Sequence, residues 1–88
     1  MFHFRLETLL RLRIAERVAT DWSVLTETER ATALHALEAI DEDPIAGAPL
    51  FEPLRGYWSY RAEHLRIVYR IVAEARFVVV VSIGRAAP

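Results

Sequence analysis

The sequence predicts an α+β domain, with two N-terminal helices packed on a small antiparallel sheet in the chain order β-α-α-β-β-β-β. Three observations carry that expectation. Thr26-Glu27-Thr28-Glu29 has the form of a helix capping box and precedes helix-spaced apolar residues. Residues 57–83 contain three runs rich in β-branched and aromatic side chains, separated by short polar breaks. The chain has 88 residues, enough for one small domain spanning 1–88 and no more.

Taken in order, Phe2, Phe4 and Leu6 alternate with His3 and Arg5, which suggests a short opening strand. From Glu7 the period changes. Leu6, Leu10, Ile14 and Val18 fall four apart, with charged residues between them, so an amphipathic helix is expected from Glu7 to near Thr20. The capping box starts a second helix, from Glu27 to about Asp41, with Leu34, Leu37 and Ile40 as its stripe. Ala33 and Ala36 permit close approach, and Asp43-Pro44 ends the helix, because a residue before proline disfavours helical geometry. Ile45 to Pro49 is a connector. Leu50 to Leu54 is a short edge segment, where Pro53 fits only an edge or a bulge. Tyr57 to Ala62, Leu65 to Val72 and Arg76 to Ile83 then form an antiparallel meander, since their connections are short.

Composition sets outer limits. Hydrophobic residues make up 53%, which suits a dense small core. The absence of cysteine excludes a disulfide framework and any thiolate metal or redox site, and fits a reducing cytoplasmic setting. The longest apolar run, Phe77 to Val81, is too short to cross a bilayer, so no membrane role is expected. No signal peptide is evident at the N-terminus. Net charge is −1 but unevenly spread: −5 over residues 1–53 and +4 over residues 54–88. Every basic side chain is Arg, which suits bidentate contact with phosphate and also follows from GC-rich coding.

Strand register gives the sharper expectation. With Glu63-His64 as a turn, Ala62 faces Leu65, Tyr60 faces Ile67 and Trp58 faces Tyr69. One face then collects these apolar and aromatic residues together with Ile71. The other collects Tyr57, Ser59, Arg61, Arg66, Val68 and Arg70. A three-residue turn at 73–75 adds Phe77, Val79, Val81 and Ile83 to the apolar face and sets Ser82 beside Arg66. Trp58, Ile67, Tyr69, Val79 and Val81 are expected in the core. Slipping the register by one residue would bury arginines. Glu-His is a poor turn pair, which leaves room for a longer loop. Arg61 opposite Arg66 stands out, because like charges across a strand pair destabilise it. A bound anion, an acidic partner or a helix carboxylate would offset the repulsion; two splayed surface arginines are the bland alternative.

Pro53-Leu54-Arg55-Gly56-Tyr57-Trp58-Ser59-Tyr60-Arg61, continued by Arg66-Ile67-Val68-Tyr69-Arg70, resembles the signature of RelE/ParE toxins from toxin–antitoxin pairs. Asp43-Pro44 upstream and Ser82-Ile83-Gly84-Arg85 downstream resemble that family too, so the likeness covers about residues 26–85. The resemblance implies a sheet of order 1-5-4-3-2, a cognate antitoxin as partner, and no metal or other cofactor. For a RelE-like member it implies mRNA cleavage on the ribosome; for a ParE-like member, binding and inhibition of DNA gyrase without nuclease activity. A catalytically reduced domain that only binds an antitoxin is the third reading. Position by position, Arg66 matches the strand arginine near the scissile phosphate, Arg61 a basic position on the preceding strand, and Arg85 a basic position after the terminal glycine. Tyr57, Arg70 and His64 are the candidate RNA or partner contacts. Many members carry a second basic residue and a later Tyr; here Ala86 holds the position of that basic residue and the Tyr has no counterpart, so either the chain is shortened or the chemistry is reduced or lost.

The remaining candidates are weaker. His3, His35 and His64 have no metal-ligand spacing and read as surface residues, with His64 a minor candidate proton donor. Tyr69, Trp22 and Trp58 are most simply packing residues. Ser59 and Ser82 have no adjacent base, which argues against a serine nucleophile.

Overall fold

The central strand alternates. Leu65, Ile67 and Tyr69 are 0% exposed, while Arg66 and Arg70 on the other face are open to solvent and Val68 is half-buried. A computed structural model describes residues 11–72 and 76–86, and in it this strand lies at the middle of a five-stranded sheet. The elements are β1 (Leu12–Ile14), α1 (Val18–Ser23), α2 (Glu27–Glu42), a 3-10 turn (Pro44–Ala46), β2 (Ala48–Pro49), β3 (Tyr57–Ala62), β4 (Leu65–Val72) and β5 (Phe77–Arg85). The sheet order is β1-β5-β4-β3-β2. Neighbours from β2 to β5 run antiparallel, while β1 lies parallel to β5. Both helices pack on one face, giving the expected α+β architecture with a mixed rather than wholly antiparallel sheet.

Local chemistry explains most boundaries. Thr26 Oγ1 accepts from the Glu29 N–H at 3.1 Å, and Glu29 Oε1 accepts from the Thr26 N–H at 2.8 Å, so the capping box closes in both directions. The apolar stripe of α2 buries Ala33, Ala36, Leu37 and Ile40 against the sheet. The β3–β4 register is the expected one throughout, from Ala62↔Leu65 to Tyr57↔Arg70. The turn holds two residues even though Glu63 must adopt φ 55°, a conformation that costs a non-glycine residue energy. The Glu63 carbonyl accepts from Arg61 Nε at 2.9 Å, which helps to offset that cost.

Tyr69 ties the core to the segment after α2. Its hydroxyl donates to the Pro44 carbonyl at 2.7 Å and accepts from the Gly47 N–H at 3.1 Å. Burial pushes the phenol pKa up, so it remains a donor. A Cβ at Gly47 would sit 2.6 Å from the Ser59 carbonyl oxygen and 2.7 Å from the Tyr69 hydroxyl, so only glycine fits there. Trp58 stacks on Tyr69 with centroids 6.3 Å apart, and is half-buried rather than fully enclosed.

Three expectations need correction. The proposed opening strand at residues 2–6 lies outside the described residues, and the helix expected over 7–20 is not formed across 12–14. Those residues are β1, with Leu12 buried and Arg13 exposed, and helix begins only at Val18. The strand is capped from α2, where Asp41 Oδ1 accepts from the Arg11 and Leu12 N–H groups at 2.6 and 3.0 Å. The edge strand is Ala48–Pro49, not Leu50 to Leu54, and Phe51 is 84% exposed.

The third correction concerns β5. Val72 pairs with Phe77, so four residues separate the strands, and a bulge lies where Val68↔Ser82 gives way to Tyr69↔Val80. The extra residue, Val81, shifts the phase. Val78 and Val80 are therefore 0% exposed, whereas Val79 and Val81 are only partly buried; Ser82 lies across from Val68 and not beside Arg66. Past the bulge, the Ile83 N–H donates to Asp21 Oδ2 of α1 at 3.0 Å, which serves it where β1 no longer reaches. No helix among the described residues is long and apolar enough to cross a membrane.

The bulge is testable by paired truncation. Val80→Ala should cost about 2 kcal/mol of stability through lost burial and a residual cavity. Val81→Ala should cost less than about 1 kcal/mol. Equal losses in denaturant unfolding would contradict the phase shift.

Candidate functional site

Among the described residues, the helices cover one face of the sheet and leave the arginines of the other open to solvent. The strand pleat delivers Tyr57 and Arg61 from β3 and Arg66 and Arg70 from β4 to that open face. Arg61 and Arg66 are direct cross-strand partners and both are exposed. Among the described residues, neither forms an ion pair with a carboxylate, and the Arg66 side chain makes no hydrogen bond. Gly84 lies across from Arg66 on β5, and a Cβ there would meet nothing within 4 Å. The surface beside Arg66 is thus low and open. Tyr57 and Arg70 are also direct partners, with the Arg70 guanidinium 5.5 Å from the Tyr57 ring centroid.

Arg85 and His64 belong elsewhere. Arg85 pairs with Leu65, so it projects toward the helices. There its Nε donates to Glu29 Oε2 at 2.8 Å and its Nη2 to Glu29 Oε1 at 2.6 Å, a bidentate pair. Nη2 also donates to the Val24 carbonyl at 3.2 Å, and His64 Nε2 donates to Glu29 Oε2 at 2.6 Å. The Glu29 side chain is 8% exposed. The Arg85 guanidinium above all, then the Thr26 N–H and His64, hold its carboxyl well below the usual carboxylate range. The same contact pushes the Arg85 guanidinium pKa up. Three parts of the chain meet here, because the Ala86 N–H also donates to the His64 carbonyl at 2.7 Å.

Of the six residues singled out in the sequence, four share the open face as two pairs: Arg61 with Arg66, and Tyr57 with Arg70. Arg85 and His64 form a separate knot with Glu29 on the helix side, so Arg85 does not join the other two arginines. Sequence reasoning missed two residues. Glu29 was visible only as a helix cap. Arg13 was hidden inside the expected helix, yet β1 places it on the open face opposite Val79, with its guanidinium 4.9 Å from the Phe77 ring centroid. The alternation Leu12-Arg13-Ile14 was the available signal. Among the described residues, no three His, Asp or Glu side chains come together as a metal site.

The profile of the ParE toxin family, toxins of the type II toxin–antitoxin system parDE, matches residues 11–87. The chain belongs to the RelE/ParE family of toxins. No curated protein matches in sequence. Among solved structures, a chain of the RelBE2 toxin–antitoxin complex from Mycobacterium tuberculosis is 26% identical with a TM-score of 0.79, covering 86% of this chain and 96% of that one. The isolated E. coli RelE toxin is 25% identical at a TM-score of 0.71, covering 90% and 86%. A YoeB/ParE toxin from Agrobacterium tumefaciens shares the fold at 21% identity and a TM-score of 0.72, covering 88% and 99%. The expected RelE-like sheet order is the observed one.

The Glu29 knot has a pH signature. Its folded-state pKa lies below the unfolded value, so the stabilisation is present above the ordinary carboxylate range and drains away as pH falls through the folded value. Glu29→Gln should therefore lower Tm at pH 7, and its deficit against wild type should shrink as pH falls below about 4. A deficit independent of pH between 7 and 2 would show that the charge contributes nothing.

Proposed function

We propose that this chain is the toxin of a RelE-type pair, restrained by a cognate antitoxin and, when free, cutting mRNA in the ribosomal A site without metal or other cofactor. The observation that carries this is the Arg61–Arg66 pair: two exposed arginines at directly opposed positions on an open sheet face, with no carboxylate partner among the described residues. Their mutual repulsion is relieved by an anion. A phosphodiester supplies one, and Arg is the side chain suited to grip it.

In such a reaction the RNA 2′-oxygen attacks the adjacent phosphorus as the bond to the 5′-oxygen breaks. The products are a cyclic phosphate and a free 5′-hydroxyl. The 2′-proton leaves and the departing oxygen gains one. Arg66, on the central strand, would hold the non-bridging oxygens as negative charge builds on them, with Arg61 beside it. Tyr57 and Arg70 lie about four residues along the strands, roughly 13 Å away, and so would contact flanking nucleotides. An arginine is too weak an acid to exchange protons at neutral pH. The chain's contribution is therefore electrostatic, and proton transfer falls to solvent or to groups of the ribosome.

One observation favours a second reading. Arg85 and His64, which could have supplied charge and proton transfer, are both engaged by Glu29. A ParE-like gyrase inhibitor, or a domain that only binds its antitoxin, would need neither at the open face.

Ribosome-dependent mRNA cleavage separates the readings. Arg66→Ala should reduce cleavage by about 10²–10³, the usual cost of removing one donor to a developing oxyanion. It should leave stability within about 0.5 kcal/mol, since an exposed charge leaves a repelling pair. Unchanged cleavage by a folded Arg66→Ala variant overturns the assignment. Wild-type protein that cuts no mRNA on ribosomes but blocks gyrase supercoiling supports the ParE-like reading instead.

A further inference from the structure

The open face extends past the four residues already described. One row crosses four strands: Arg13 on β1, Val79 on β5, Arg70 on β4 and Tyr57 on β3. It carries an arginine–aromatic pair at each end. Arg70 lies over Tyr57 at 5.5 Å, and Arg13 lies over Phe77 at 4.9 Å. The Arg13 guanidinium is tethered by a hydrogen bond from its Nη1 to the Leu12 carbonyl at 3.1 Å, and Phe77 is 39% exposed. Neither side chain is needed to close the core, which lies on the opposite face.

We infer that Arg13 and Phe77 form a base-stacking subsite for single-stranded RNA, at the corner of the sheet remote from the Arg61–Arg66 pair. A planar guanidinium backed by an aromatic ring presents a flat, cationic outer surface. Nucleobases stack on such a surface whatever their sequence. The preceding exposed Arg76 adds positive charge at the same end of the strand. From Arg66 the subsite is two strands across and about four residues along, roughly 16 Å. That is a span of a few nucleotides, so an RNA held by its phosphate at Arg66 would lay a downstream or upstream base on Arg13.

This inference rests on the RNA reading of the open face, and the experiment is chosen so that the two fail separately. Fluorescence anisotropy would follow binding of uncleavable 2′-O-methyl hexaadenylate and diadenylate to the folded protein. Arg13→Lys keeps the charge and loses the plane; Phe77→Leu keeps apolar bulk and loses the ring. Each should weaken the hexamer between about fivefold and a hundredfold, the usual range for one stacked base. Neither should change the dimer, which is too short to reach the corner from Arg66. Phe77→Tyr should restore hexamer binding. Arg66→Ala should weaken both oligonucleotides. Hexamer binding unchanged in Arg13→Lys and Phe77→Leu, with Arg66→Ala defective, removes the subsite and leaves the RNA reading standing. Wild-type protein that binds neither oligonucleotide overturns both. Hexaglutamate bound more tightly than RNA, and weakened by the same two variants, would mark the corner as a surface for an acidic protein and also overturn the inference.

Discussion

The alternation along β4 is the constraint on which the rest depends. Leu65, Ile67 and Tyr69 must be dry, and the pleat then forces Arg66 and Arg70 to the other side. Because β3 pairs with β4 without a slip, Arg61 has to stand opposite Arg66, and Tyr57 opposite Arg70. The cationic face is therefore a geometric by-product of the core. The burial that stabilises the domain also holds two like charges together, and a one-residue slip that separated them would place an arginine under α2. Stability and the placement of the two arginines are linked through one strand.

Glu29 performs a second ordering task. As a cap it completes the first turn of α2; as an acceptor it receives Arg85 from β5 and His64 from the β3–β4 turn. A largely buried carboxylate is tolerable only when fully partnered, and here each oxygen is used. The helix N-terminus is thereby fixed to the end of the sheet where Arg61 and Arg66 lie. In the structure Arg85 is the partner of that carboxylate. The family resemblance alone would have placed it with the phosphate-binding arginines.

The parts legible in the sequence were those with redundant signals. The capping box and an apolar stripe agreed on α2, and alternation fixed β3 and β4 residue by residue. Where one signal stood alone, it misled. The spacing of Leu10, Ile14 and Val18 suits a helix, yet Leu12-Arg13-Ile14 suits a strand equally well, and the open edge of β5 decided the matter by tertiary pairing. From Phe77 to Val81 no polar residue marks a face, so the bulge at Val81 left no trace, and every residue before it was assigned to the wrong side. The two cross-strand pairs of the open face were legible because they lie on β3 and β4. Arg13 and the role of Glu29 were not, since both depend on contacts between distant segments.

The parallel strand at the margin has a kinetic consequence. Leu12 meets Val78 across almost the whole described length of the chain, whereas the strands of the meander meet across short connections. Closing a long loop costs more entropy than closing a short one, so pairings of high sequence separation form late. The meander can therefore assemble its cationic face before β1 arrives. Docking of three residues then covers the backbone edge of β5 from Val78 to Val80, a stretch that would otherwise invite pairing with another chain.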